Sequence, residues 1–265
     1  MRNKSRIFNK AISPIVVSNR INSEKDNKKV KNLFPYFLNP RLPKKKFAFT
    51  LAEVLITLGI IGVVASITIP TLSQKLYEKR TVTQLRAVQS ILSQSVKAAE
   101  AEDGEVEGWE LKLDGSESDA QIIGEKLLKH MKVAHDCGTE PDEKSICVPY
   151  LKYNTLNGGT VWGNYSALPN YYKVKLNNGA SLWWRSGNHS IAAEKRAEMY
   201  IDFFVDVNGS ALPNMVGKDV FDFYYEKGSL RVAGTPHYLN SGTCSLTSTG
   251  WGCAYYVLTN GKLLK

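Results

Sequence analysis

The side chains here whose type and spacing could do chemistry fall into three groups. The first is a single acid, Glu53, set in the 24 residues from Phe49 to Leu72, which carry no other charge. No basic side chain occurs from 47 to 74. A carboxylate at the middle of a bilayer costs about 2.5–3.5 kcal/mol, so one that is kept there marks a function. The second group is four cysteines, Cys137, Cys147, Cys244 and Cys253, in two close pairs. The third is the oxygen-rich segment 202–221, where Asp206, Asn208 and Asp219 are hard ligands of the kind that suit calcium. Its Asn208-Gly209 and Pro213-Asn214 steps form turns equally well without any ion. His130, His135, Cys137 and Cys147 could in principle hold a transition metal, but their spacing matches no recognised finger. No nucleophile elbow, phosphate loop or paired-histidine helix occurs, so the sequence supports no enzymatic reaction. Calcium is the single cofactor it leaves open.

The elements that position these groups follow from charge and hydropathy. Roughly 20 apolar residues cross a bilayer as a helix, and 49–72 is long enough. The net charge of +9 suggests a nucleic-acid partner until it is divided. Residues 1–48 hold 13 Lys+Arg against 2 Asp+Glu, a balance of +11, and the remainder holds 21 against 23, a balance of −2. Basicity therefore belongs to the leading segment, where Lys44, Lys45 and Lys46 abut the apolar stretch. That asymmetry keeps the N-terminal end cytoplasmic and sends the rest across the membrane. On an oxidising far side, two local cysteine pairs read as two disulfides worth about 2–3 kcal/mol each. Cys137 with Cys147 and Cys244 with Cys253 is the expected pairing, and pairing across the two stays open on sequence alone.

The run Phe47-Ala48-Phe49-Thr50-Leu51-Ala52-Glu53 resembles the prepilin peptidase site of type IV pilins and type II secretion pseudopilins. The resemblance implies cleavage between Ala48 and Phe49, N-methylation of Phe49, and Glu53 as the fifth mature residue. The family usually has Gly before the cut, where this chain has Ala48. It further implies that the new ammonium at Phe49 meets the Glu53 carboxylate of a neighbouring subunit, a pairing that would act mainly to set register. The implied protein is a structural subunit of a type IV filament system, serving a pilus, a secretion pseudopilus or DNA uptake. Its partners would be prepilin peptidase, other pilin or pseudopilin subunits, an inner-membrane assembly platform and membrane lipid, with nucleic acid only in a DNA-uptake role. Its place would be the inner membrane as a single-pass protein and then an extracytoplasmic filament. The alternative is a minor tip pilin or adhesin whose head binds a surface, a glycan or DNA.

The rest of the chain is expected to be α+β, a long N-terminal helix packed on a mostly antiparallel sheet. Four parts follow: a basic leader at 1–48, a transmembrane part of the helix at 49–72, an amphipathic part at 73–102, and a β-rich head at 103–265. Leu72, Leu76, Leu85, Val88, Leu92, Val96 and Ala99 recur at helical spacing. Gly59, Gly62 and Pro70 lower helix propensity within the span and predict a kink or extensible stretch. Residues 103–120 read as an acidic, solvated linker and 121–133 as a short helix. Strands are expected at 148–153, 171–176, 181–185, 199–207, 220–226, 229–233 and 254–259, with turns at Asn178-Gly179 and Lys227-Gly228. The aromatics Trp162, Tyr165, Tyr171, Tyr172, Trp183 and Trp184 fit either a ligand patch or strand cores.

Overall fold

A long helix, α1, runs from Leu51 to Asp103 in the computed structural model, which describes residues 49–161, 163–187, 199–226, 228–235 and 244–265. At 1.5 Å per residue it is about 80 Å long. Its two halves differ. From Phe49 to Leu76 every side chain except Ala65 is exposed, whereas Thr81, Val82, Leu85, Val88, Leu92, Ser95, Val96 and Ala99 are buried. The spacing of three and four among the buried positions puts them on one stripe, which is the condition for laying a helix on a sheet.

That sheet has six antiparallel strands in the order of the chain: β1 (Val133–Gly138), β2 (Tyr172–Leu176), β3 (Ser181–Ser186), β4 (Met199–Asp206), β5 (Val220–Glu226) and β6 (Ser229–Val232). The β2–β3 hairpin turns at Asn178-Gly179, where Gly179 takes a φ of +87° that a side chain would oppose. Toward α1 the strands present Tyr172, Val174, Leu176, Leu182, Trp184, Ile201, Phe203, Val205, Phe221, Phe223 and Tyr225, which form one core with the helix stripe. The opposite face is also covered. There Tyr153, Tyr165, Tyr171, Trp183, Phe204 and Val220 form a second core beneath the loop that joins β1 to β2.

Helix α2 (Glu117–Leu128) starts at a Ser116 cap and buries Ala120, Ile123, Gly124 and Leu127. It lies so close to the sheet that a Cβ on Gly124 would stand 2.6 Å from the Tyr172 ring. A last helix, α3 (Cys253–Asn260), ends in a left-handed Gly261.

Several expectations need correction. Residues 254–259 are helical, not a strand: Cys253, Ala254 and Val257 are the buried positions, a period of three to four hidden by β-prone side chains. Residues 148–153 form a loop; Pro149 there cannot donate to a ladder, and Leu151 N–H turns back to the Pro149 carbonyl at 2.9 Å. The short helix covers Glu117–Leu128 instead of 121–133, and Val133 already belongs to β1, a strand not expected. The 103–120 linker is only partly solvated, because Val106, Trp109 and Asp119 are buried in it. Lys227 of the second expected turn lies outside the described residues, while Gly228 takes the positive φ of +73° expected of it.

Candidate functional site

The N-terminal candidates sit where α1 begins. Phe49 is 83% exposed and precedes the first helical residue, and Glu53 occupies the first turn, where the helix dipole favours an anion. Ala48 lies outside the described residues. Among those residues α1 is the one helix long and apolar enough to span a membrane, and none of its most apolar 18-residue window is buried. Its hydroxyls are already satisfied within the helix: Thr57, Ser66, Thr68 and Thr71 donate to the carbonyls of Val54, Val63, Val64 and Thr68 at 2.8–2.9 Å. A segment in lipid requires that. α1 is continuous through Pro70, which has no N–H for the Ser66 carbonyl. A Cβ on Gly59 or Gly62 would meet nothing within 4 Å, so neither glycine is explained by packing among the described residues.

The head brings two of the oxygen-bearing candidates together. Asp206 ends β4 and Asp219 precedes β5, and both are fully buried at the base of the loop between those strands. Asp206 accepts from Tyr153 Oη at 3.0 Å and from Asn208 N–H at 3.1 Å. Asp219 accepts from the N–H groups of Asn214 at 2.8 Å and Met215 at 2.7 Å. Burial pushes the Asp219 carboxyl up to about 6. Burial, and next the neighbouring Asp219 charge, hold Asp206 well above the usual carboxylate range. Asn208 Oδ1 and Asn214 Oδ1 are buried beside them with no donor among the described residues. The four side chains thus form a buried cluster of oxygen atoms, and the like charges of its two carboxylates favour uptake of a proton or a hard cation.

The cysteines pair as Cys137–Cys147 and Cys244–Cys253. A metal site from His130, His135, Cys137 and Cys147 is therefore ruled out as a ligand set, since a disulfide sulfur has no thiolate to give. His130 instead meets Glu102 at 3.3 Å. His189 and Trp162 lie outside the described residues. The other aromatics do not form a ligand patch: Tyr172 and Trp184 stack at 4.9 Å in the helix-side core, and Tyr165, Tyr171 and Trp183 lie in the second core.

Two buried groups escape sequence reasoning. Asp142 gathers the N–H groups of Ile146, Cys147 and Val148 at 2.7–2.9 Å, and Lys173 Nζ donates to the carbonyls of Thr139, Leu168 and Tyr171 at 2.7–3.0 Å. Burial lowers the Lys173 ammonium to about 8. In sequence Lys173 reads as the solvent-facing member of an alternating strand.

Residues 43–69 match the family described as the prokaryotic N-terminal methylation motif. The described part of that match lies on the exposed half of a long helix packed against an antiparallel head, an α+β arrangement consistent with a type IV pilin-like protein. No curated protein and no solved structure matches the chain.

Proposed function

We propose that this chain is a prepilin-like subunit of a type IV filament system. It is inserted in the inner membrane with its N-terminus cytoplasmic, cut between Ala48 and Phe49 by prepilin peptidase, methylated at Phe49, and polymerised with other subunits through α1. The observation that carries this reading is the coincidence of the methylation motif at 43–69 with a helix whose first half is bare and whose second half is locked into a head. A helix apolar all round and uncovered by its own chain needs lipid or other helices around it. Proteins with this motif are structural and not catalytic. The tip-adhesin alternative loses its aromatic patch, since those rings among the described residues are buried. Mass spectrometry of the exported protein is expected to find an N-terminus at Phe49 carrying one extra methyl. An intact leader on exported protein would sink the reading.

The Asp206–Asp219 base supports a second, smaller proposal, that the head takes up calcium through Asp206, Asp219, Asn208 and Asn214. The unpartnered amide oxygens favour it. Without the ion, acid should do the same work. Asp219 has a folded pKa of about 6, raised above its ordinary 3.8. Its stabilisation is therefore complete below 3.8 and lost as pH rises toward 6 and beyond. Each tenfold difference in proton affinity between folded and unfolded chain is worth roughly 1.4 kcal/mol, so the penalty at pH 7 is on the order of 2–3 kcal/mol. In chelator the full chain in detergent should melt a few degrees higher at pH 5 than at pH 7. Asp219→Asn should lower the baseline and narrow that gain. Calcium at pH 7 should raise the parent's melting point and leave Asp219→Asn unchanged; a parent indifferent to millimolar calcium refutes the calcium proposal, and an unaltered acid gain in the variant refutes the assignment to Asp219.

A further inference from the structure

Where α1 enters the head there is an open groove of about 750 Å³. It runs between Leu76–Gln84 of α1, the β2–β3 turn and the start of the β4–β5 loop. Three features give it a character. Among the described residues its lining contains two cations, Lys79 and Arg80, and no acid. Both are exposed, and neither is in an ion pair among the described residues. Glu78, on the same turn, is engaged elsewhere, accepting the Leu263 N–H at 2.8 Å.

The second feature is Leu212, 80% exposed at the tip of the β4–β5 loop. This tip is held in place. Asn208 Nδ2 donates to the Leu212 carbonyl at 3.2 Å, and the loop's two ends are tied to Asp206 and Asp219. The third is depth. Leu76 and Arg80 lie four and eight residues past Leu72, about 6 and 12 Å along the helix. The headgroup layer beyond the hydrocarbon is about 5–8 Å thick. Leu76 therefore lies within that layer, and Lys79 and Arg80 start just beyond it, on long side chains that lean back toward the helix N-terminus and so reach it.

Resting on the reading of 49–72 as a membrane span, we propose that this groove seats an anionic phospholipid of the leaflet on the head's side. Lys79 and Arg80 take the phosphate, and Leu76 and Leu212 take the top of an acyl chain. Among the described residues no carboxylate competes for the cations, and the apolar side chains continue the surface of the bare helix. The subunit would thereby hold its head down on the membrane before assembly.

The test uses the full chain in nanodiscs made with phosphatidylcholine alone or mixed with phosphatidylglycerol, followed by native mass spectrometry of the lipid retained. The parent should retain phosphatidylglycerol in preference. Each basic side chain at an anionic surface contributes a factor of about five, so Lys79→Gln with Arg80→Gln should cut that preference roughly tenfold or more. Leu212→Ser should reduce retention of both lipids. These are exposed positions, and unchanged melting of the variants would show that their folds are intact. Equal preference in the parent and the double variant overturns the proposal. So does protection of the 207–215 loop from hydrogen exchange that rises with protein density and ignores lipid charge, which would assign the groove to a second copy. Extraction of the chain by alkaline carbonate would overturn the membrane span itself; insertion without lipid preference overturns the groove alone.

Discussion

Glu53→Ala is expected to insert into the membrane at least as well as the parent and to be nearly absent from filaments. Both halves follow from one carboxylate. An ionised acid in a span opposes insertion by about 2.5–3.5 kcal/mol, so its removal cannot hinder entry. The residue is exposed at the first turn of α1, far along the helix from the buried stripe that begins at Thr81, so the head and its disulfides should be unaffected. Assembly is another matter. If the Phe49 ammonium of one subunit meets Glu53 of the next, removal of the acid leaves a cation in an apolar core. Breaking such a pair costs about 3–5 kcal/mol, a hundredfold or more in equilibrium constant. Quantitative blotting of membrane and sheared-filament fractions, in cells supplying the other subunits, checks this. Equal incorporation of parent and variant would show that Glu53 has no pairing role.

The largest effect on the head is expected at Asp142. Its carboxylate sits inside the ring closed by Cys137–Cys147 and accepts three backbone N–H groups, while its carbonyl accepts Ser166 Oγ at 2.6 Å. It is 6% exposed, so water cannot replace the carboxylate. Asp142→Ala would orphan three donors, each worth about 1–3 kcal/mol when left unsatisfied. We expect a loss of about 3–5 kcal/mol, a fall on the order of 10 °C in Tm. Asp142→Asn, which keeps one acceptor oxygen, should fall between. Thermal unfolding of the full chain in detergent reads this out, and a loss under about 1 kcal/mol for the alanine variant would contradict it.

Much of this architecture is visible in the sequence wherever one local rule acts alone. The stripe from Leu85 to Ala99 has helical period and nothing competing with it. Strands β2 to β6 fall within one residue of their expected limits, because β-prone runs are punctuated by turn formers such as Asn178-Gly179. The misses occur where tertiary context decides. β1 is an edge strand, mostly solvent-exposed in its middle, with two irregularities in its register against β2, so it shows no alternation to read. α3 is built of Tyr, Val and Thr that favour strands in isolation but lies on β5 as a helix. Trp183-Trp184 and Phe203-Phe204 are adjacent because both faces of the sheet are covered. From sequence, neighbouring aromatics of that kind look as much like a binding surface as like two cores. The carboxylates of Asp119 and Asp142 are legible as polar loop residues, not as buried anchors, since their donors come mainly from backbone.

The order of the sheet also bears on how such a head is made. Every strand pairs with the one just before it in the chain, and α1, which covers one face, precedes them all. A polypeptide threaded through a membrane with its C-terminus last delivers these pieces in the sequence in which they are used. Each new strand finds its template already formed: β3 and β6 close hairpin turns, β4 and β5 close loops of 12 and 13 residues, and the longest excursion, between β1 and β2, is shortened by the Cys137–Cys147 ring. Local closures of this kind cost little entropy and are quick. The exposed edge is handed from strand to strand, so on the export route proposed above the head would grow by accretion as the chain emerges instead of waiting, unfolded, for its last residue.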